Sequence, residues 1–212
     1  MERVDSATIA RLLRPFATLN QEQLNMSSAY LDLLLKWNAR TNLTSVRDPK
    51  EMVTRHFGES FFAASRLLGD TTETVVDLGS GAGFPGLPMA ILAPDVQITL
   101  LESNAKKAAF LNEVAHALRL SNLKTVRQRG EEYAGRADLV AMRAVEAFAK
   151  SAEVAAGLVR SGGRLALMIG SGQVDHAKNL LEDVSWDPAI PIPASHSRVI
   201  LAGTTPIRVD PG

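Results

Sequence analysis

The stretch Thr74-Val-Val-Asp77-Leu-Gly79-Ser-Gly81-Ala-Gly83-Phe84-Pro-Gly86, answered by Ile98-Thr-Leu-Leu-Glu102, leaves this chain few architectures. A short β-branched and aliphatic run is what a buried parallel strand needs. This run ends in an acid, and three glycines follow at every second position. Glycines there let the main chain turn sharply and let a ligand approach the backbone with no Cβ in the way. The next helix is predicted to start near Pro85, a residue suited to a first helical position. Strand, glycine turn, helix, strand and terminal acid together describe a nucleoside-binding half of a doubly wound α/β sheet. Glu102 is the acid expected to accept hydrogen bonds from ribose hydroxyls.

Two cofactor patterns overlap on these residues. Gly81-Ala-Gly83-Phe84-Pro85-Gly86 fits the dinucleotide form G-x-G-x-x-G, which is weak on its own. The fuller pattern, Asp77-x-Gly79-x-Gly81-x-Gly83, is that of class I S-adenosylmethionine (SAM) methyltransferases. SAM carries a sulfonium cation and no pyrophosphate, so an acid just before the glycines suits it electrostatically. Asp77, Gly79, Gly81, Gly83 and Glu102 are therefore the expected cofactor residues. A dinucleotide site, or a tight turn with no ligand, stays open as the alternative.

Composition narrows the partners. The 212 residues carry 23 Lys plus Arg against 23 Asp plus Glu, so no global charge points to nucleic acid, and any such contact must be local. The chain has no cysteine, which removes disulfides, a thiolate nucleophile and cysteine metal sites; no metal is expected. No apolar run reaches the length of a membrane span, and Met1-Glu-Arg-Val-Asp-Ser lacks a signal peptide's apolar core. A cytoplasmic monomer is the expectation.

Periodicity divides the chain in two. Residues 5–70 read as helical, with Ile9, Leu12, Leu13 and Phe16 and then Leu24, Tyr30, Leu31, Leu34 and Leu35 at helical spacing. Asp48-Pro49-Lys50-Glu51 is a helix start, with Asp48 as cap and Glu51 placed to reach back in a capping box. From residue 73 strands are predicted near 74–78, 96–101, 123–127, 137–142, 163–169 and 197–202. Helices are predicted near 85–93, 104–119, 144–160 and 173–182, and Ser161-Gly162-Gly163 reads as a turn. The expected organisation is a helical extension over 1–70 packed on a domain over 71–212. Prolines 188, 191, 193, 206 and 211 favour irregular structure in the tail.

With these residues in view, the chain resembles the glucose-inhibited division protein B family of small-subunit ribosomal RNA methyltransferases. The resemblance runs through Leu35-Lys-Trp37-Asn38, Asn42-Leu43-Thr44-Ser45, Arg55-His56 ahead of Ser60, and Gly79-Ser-Gly81-Ala-Gly83-Phe84-Pro85-Gly86-Leu-Pro88. It continues through Leu101-Glu102-Ser103, Lys106-Lys107, Phe110-Leu111, Arg129-Gly-Glu131-Glu132 and Met142-Arg143-Ala144-Val145, covering roughly residues 25–170. It implies a Rossmann-like class I SAM-dependent fold, α/β with a mostly parallel seven-stranded sheet. It also implies methyl transfer from SAM to N7 of one guanine in 16S ribosomal RNA. Carried over by motif position, cofactor contacts fall on Gly79, Phe84, Gly130, Glu131 and Arg143. The family commonly has a lysine where this chain has Ile169, ahead of Gly170; Arg198, on the last strand, is the candidate for supplying that charge.

The chemistry needs little from the chain beyond placement. Guanine N7 carries an in-plane lone pair, so it attacks a sulfonium methyl with no prior deprotonation and no general base. Catalysis then rests on in-line placement and fixed charge. Arg143, after the fourth strand, is the expected catalytic residue, orienting the guanine or else contacting the cofactor carboxylate. RNA contact must show as local charge. Between residues 103 and 130 stand Lys106, Lys107, Arg119, Lys124, Arg127 and Arg129 against one acid, Glu113. Arg40, Arg47, Arg55 and His56 form a second group. Arg55, His56, Lys106, Lys107, Arg127, Arg129 and Arg198 are the expected RNA residues, with solvated faces as the plain alternative. Methyl transfer to a small molecule or a protein remains a second functional reading.

Overall fold

A computed structural model of the chain describes residues 4–143 and 147–207. Ala144 and Val145 of the expected motif, the start of the helix expected near 144, and Pro211 lie outside the described residues. In chain order come α1 (Ser6–Leu13), α2 (Gln21–Thr41), α3 (Pro49–Met52), a π-helical turn over Val53–Gly58 and α4 (Glu59–Leu67). Then follow β1 (Thr74–Leu78), α5 (Gly86–Leu92), β2 (Gln97–Leu101), α6 (Ala105–Ala117), β3 (Leu123–Val126) and a 3-10 turn over Gly130–Glu132. The rest is β4 (Ala137–Arg143), α7 (Phe148–Gly157), β5 (Val159–Gly170), a 3-10 turn over Ser171–Gln173, α8 (Val174–Leu180), β6 (Ser185–Trp186), β7 (Ile190–Pro191) and β8 (Arg198–Thr204).

The N-terminal helices start where their side chains can satisfy free N–H groups. Asp5 Oδ1 accepts from Thr8 N at 2.7 Å, and Asn20 and Gln23 cap α2 reciprocally. Asp48 Oδ1 accepts from Glu51 N at 2.7 Å, with Pro49 filling the first turn. Glu51 does not reach back as expected. Its carboxylate pairs with Arg55 one turn on, at 2.9 Å.

The sheet runs in the order β3-β2-β1-β4-β5-β8-β6, with β7 also on β8. The first five strands are parallel, and β8 runs antiparallel to β5. Among the described residues the sheet has eight strands rather than seven, because the proline-rich tail lays two-residue strands β6 and β7 against β8. The expected turn at Ser161-Gly162-Gly163 is instead a bulge inside a longer β5. Pairing with β4 jumps from Ala137–Val159 to Leu139–Arg164, and Gly162 sits at φ 68° to absorb the extra residues.

Apolar residues cover both sheet faces. One face carries Ile98, Leu100 and Ala141 against Tyr30, Phe61, Leu87 and Phe110, so α2 and α4 share a core with the sheet helices. The other carries Val76, Leu101 and Val140 against Ala152 and Ala155 of α7. Trp37 fastens α2 to α6 by donating from Nε1 to Glu113 Oε2 at 2.9 Å. Strand order reverses between β2-β1 and β4-β5, which opens a crevice outside the carboxyl ends of β1 and β4.

Candidate active site

The glycine turn is held from three sides. From the sheet, Asp77 Oδ2 accepts from Gly86 N at 2.9 Å. From β2, Glu102 Oε2 accepts from Gly81 N at 2.9 Å while its Oε1 accepts from Asn104 N at 2.7 Å. From the N-terminal helices, the Tyr30 hydroxyl donates to Ala82 O. Gly81 and Gly83 both lie at positive φ, 58° and 95°, but for different ends. A Cβ on Gly83 would strike Leu87 and come within 2.6 Å of the Tyr30 hydroxyl, whereas one on Gly81 would meet only Gly79 O at 3.7 Å. Gly83 serves packing, and Gly81 borders open space.

Asp77 is turned into the protein rather than toward a ligand. It is 0% exposed, its Oδ1 has no hydrogen-bond partner, and burial pushes its carboxyl up to about 7. Its carboxylate therefore braces the turn from behind. Phe84 is likewise enclosed, stacked on Tyr30 at 5.2 Å and on His56 at 5.0 Å, with Phe57 edge-on at 5.1 Å. No face of that ring is left for a ligand. Phe84 follows the glycines, and its Phe84-Pro85 bond is cis, with α5 beginning at Gly86 rather than at Pro85.

Beside the turn lies a cleft of about 290 Å³, lined by Gly79, Glu102, Ser103, Arg129, Gly130 and Glu131 together with Lys150. Gly130 opens the 3-10 turn and packs against Leu78 and Val154 too closely for a Cβ. Glu131 pairs with Lys150 at 2.7 Å, which holds its carboxyl below the usual range. The cleft thus offers a buried carboxylate at one wall and backbone groups at the other. That combination can take sugar hydroxyls and the edge of a flat base.

Arg143, at the end of β4, meets the N-terminal helices instead of open solvent. Its Nη2 donates to Arg55 O at 2.7 Å and to Glu59 Oε2 at 3.0 Å, and its Nη1 lies 3.4 Å from both His56 O and Ser60 Oγ. Both carbonyls belong to the π-helical turn, so the guanidinium ties β4 to that turn. Glu59 Oε1 also accepts from Arg198 Nε at 2.7 Å. Arg198 pairs in register with Gly170 across β5 and β8, so its charge reaches the edge next to Ile169. Two guanidiniums against one carboxylate leave an excess positive charge at the crevice.

His56 belongs to the same cluster. It stacks on Phe84, its Nε2 lies 2.7 Å from Thr44 Oγ1, and its Nδ1 faces Arg143 Nη2 at 3.4 Å. Burial first, then the positive charges of Arg143, Arg55 and Arg198, lower its pKa to about 3. The ring is neutral and offers no charge to a phosphate, contrary to its expected part in RNA contact. Arg55 is half-buried, paired with Glu51 and not free. Lys106, Arg127 and Arg129 are exposed and Lys107 partly so. Lys106 and Lys107 occupy the first turn of α6, where a positive charge opposes the helix dipole.

Sequence reasoning missed Glu59 and Lys150. Glu59 had one signal: an acid on a helix otherwise apolar at Phe57, Phe61 and Phe62. Its two arginine partners stand 84 and 139 residues further on, so no local pattern could name them.

Residues 23–195 match the family GidB, described as rRNA small subunit methyltransferase G. The ribosomal RNA small subunit methyltransferase G of Roseiflexus castenholzii is 42% identical over 159 residues, covering 72% of this chain and 68% of that protein. Its counterpart from Neisseria gonorrhoeae is 41% identical over 157 residues, covering 74% and 75%. Among solved structures, the magnesium protoporphyrin IX methyltransferase of Synechocystis PCC 6803 superposes with a TM-score of 0.65 at 14% identity, over 89% of this chain and 99% of that one. The ribosomal protein L11 methylase of Lactobacillus delbrueckii subsp. bulgaricus does so with 0.62 at 13%, over 72% and 79%. At those identities the likeness is one of fold.

Proposed function

The chain belongs to the rRNA small subunit methyltransferase G family, and from that premise we propose that it transfers a methyl group from SAM to N7 of a guanine in 16S ribosomal RNA. The solved relative from Synechocystis holds SAM, and the residues of this cleft fit such a donor. The observation that carries the donor assignment is the bond from Gly81 N to Glu102 Oε2. It puts a carboxylate where a dinucleotide would need a free N–H for its pyrophosphate. A carboxylate there suits ribose hydroxyls and a cationic donor, and repels phosphate.

Gly79, Gly81, Glu102, Gly130 and Glu131 are the residues we assign to the donor, with Asp77, Gly83 and Phe84 holding the turn in shape. When bound, SAM supplies an electrophilic methyl group on a positively charged sulfur. The nucleophile is the N7 lone pair, which needs no base. No histidine–carboxylate pair is required of the cluster, and its histidine is neutral. The chain's part is to hold the guanine still and to exclude misaligned poses. Arg143, whose two Nη groups are taken by the N-terminal helices, is assigned through its Nε to an acceptor on the base edge or on the donor's carboxylate. Arg198 shares the same carboxylate and adds a second cation to that rim.

Guanine N7 lies in a deep, narrow groove when paired in A-form RNA, so an unpaired base is the target this mechanism requires. Arg127, Arg129, Lys106 and Lys107 are assigned to the surrounding phosphates. We assign the protein to the cytoplasm as a monomer. No helix among the described residues is long and apolar enough to cross a membrane, and Ile207 is the one exposed large apolar side chain among them.

Transfer of labelled methyl from SAM to 16S RNA or to the assembled small subunit tests the reading. Borohydride reduction and aniline cleavage should then stop primer extension at one guanine. Label in a protein or a metabolite, with none in RNA, would replace it by the second reading.

A further inference from the structure

A groove on the other half of the sheet has no part in the site above. It has a volume of about 270 Å³ and is lined by Gln97, Thr99, Ser121, Lys124, Tyr133 and Arg136 around the amino ends of β1 and β2. It exists because the β3-to-β4 connection carries only a 3-10 turn, while α7 packs on β4 and β5. No helix among the described residues covers that part of the face, where Gln97, Thr99 and Lys124 interrupt the apolar strand residues Val76, Ile98 and Leu123.

The lining has two cations and no carboxylate. Asp138, next to it in sequence, is taken up by the N–H groups of Glu73 and Thr74 and by Arg160. The side chains of Gln97, Thr99, Ser121, Lys124 and Tyr133 have no hydrogen-bond or ion-pair partner among the described residues. Neutral hydroxyls and an amide beside two cations match a sugar–phosphate chain, hydroxyls for ribose and cations for phosphate. The groove is also joined to the active-site cleft. Lys124 in the edge strand β3 leads to exposed Arg127 and Arg129, and Arg129 lines that cleft.

We propose that this groove is a second RNA subsite, which binds the backbone of the substrate strand away from the methylated guanine. The proposal rests on the RNA-methyltransferase reading and extends it to a surface the reaction itself does not use. Lys124 and Arg136 hold phosphates there, and Gln97, Ser121 and Tyr133 face the riboses.

The test compares wild type with Lys124→Ala/Arg136→Ala in methyl transfer to 16S RNA, at several RNA and salt concentrations. Both residues are exposed, and unchanged SAM affinity by calorimetry verifies the fold. The double variant should raise KM for RNA about tenfold, leave kcat within about twofold, and reduce the slope of log affinity against log salt by about 1 to 2. Ser121→Ala, which removes an exposed hydroxyl and no charge, should raise KM without changing that slope. Wild-type KM and slope in the double variant would overturn the proposal, as would a fall in kcat alone. A wild-type protein that methylates no RNA would overturn the functional reading and the groove with it, whereas active wild type and an unaltered variant would overturn the groove alone.

Discussion

Glu59 Oε2 accepts from Arg143 Nη2 at 3.0 Å while its other oxygen is bound by Arg198, so one carboxylate couples the ends of β4 and β8 to the N-terminal helices. The side chain of Glu59 is 2% exposed and that of Arg143 10%, so water does little to screen the pair. A buried ion pair of this kind adds little net stability against an apolar replacement. Removing one partner is costly, because the other charge stays buried.

Glu59→Gln should therefore lower stability by about 3–5 kcal/mol in denaturant melts, and Glu59→Asp by less, since a shorter carboxylate keeps the charge. Methyl transfer should fall in both, more steeply in Gln, as Arg143 loses its anchor. A Gln variant as stable as wild type would show that the guanidiniums are held by the backbone carbonyls alone.

The two inner glycines should separate binding from folding. Gly81→Ala places a Cβ in open space beside the turn, so SAM affinity should drop about tenfold or more. The cost in stability should stay near the 1–2 kcal/mol of a left-handed residue. Gly83→Ala drives a Cβ toward the Tyr30 hydroxyl and Leu87, so its melting temperature should fall further. Calorimetry with SAM and thermal melts on the two variants distinguish these outcomes.

Much of this was legible in the chain itself, and the limits have physical causes. The strand–glycine–helix–strand unit is local, so Asp77, the three glycines and Glu102 were nameable from spacing, and the structure brings all of them to one turn. What spacing could not give was direction. Asp77 sits at a position whose side chain points into the core, and Phe84 is claimed by Tyr30 and His56, residues 54 and 28 positions away by number. Likewise the basic residues read alike in sequence. Only packing separates exposed Arg127 and Arg129 from Arg143 and Arg198, which a distant acid holds.

Asp77 should tilt the stability curve with pH. Its carboxyl is raised from 3.8 to about 7, chiefly by burial, so between those values the folded protein binds more protons than the unfolded chain. Stability from this group is fully present below pH 4 and is lost as pH rises through about 7, by up to about 4 kcal/mol. Asp77→Asn keeps the shape and cannot ionise. Relative to wild type, it should gain stability between pH 4 and pH 8, measured by urea melts across that range. An unchanged difference would mean that Asp77 is ionised throughout.

His56 should show the opposite dependence, and its ring can be observed directly. Its pKa is lowered from 6.5 to about 3, so the unfolded chain takes up the proton first as pH falls. Stability from this group is present above 6.5 and is lost on acidification toward 3. In labelled-histidine spectra its ring signals should stay at neutral positions from pH 5 to 8. Because burial is the largest cause and Arg143 the next, Arg143→Met should raise the midpoint without restoring it to 6.5. A wild-type midpoint near 6.5 would mean that the ring faces water, not Phe84 and Thr44, and would return His56 to the set of cations available to RNA.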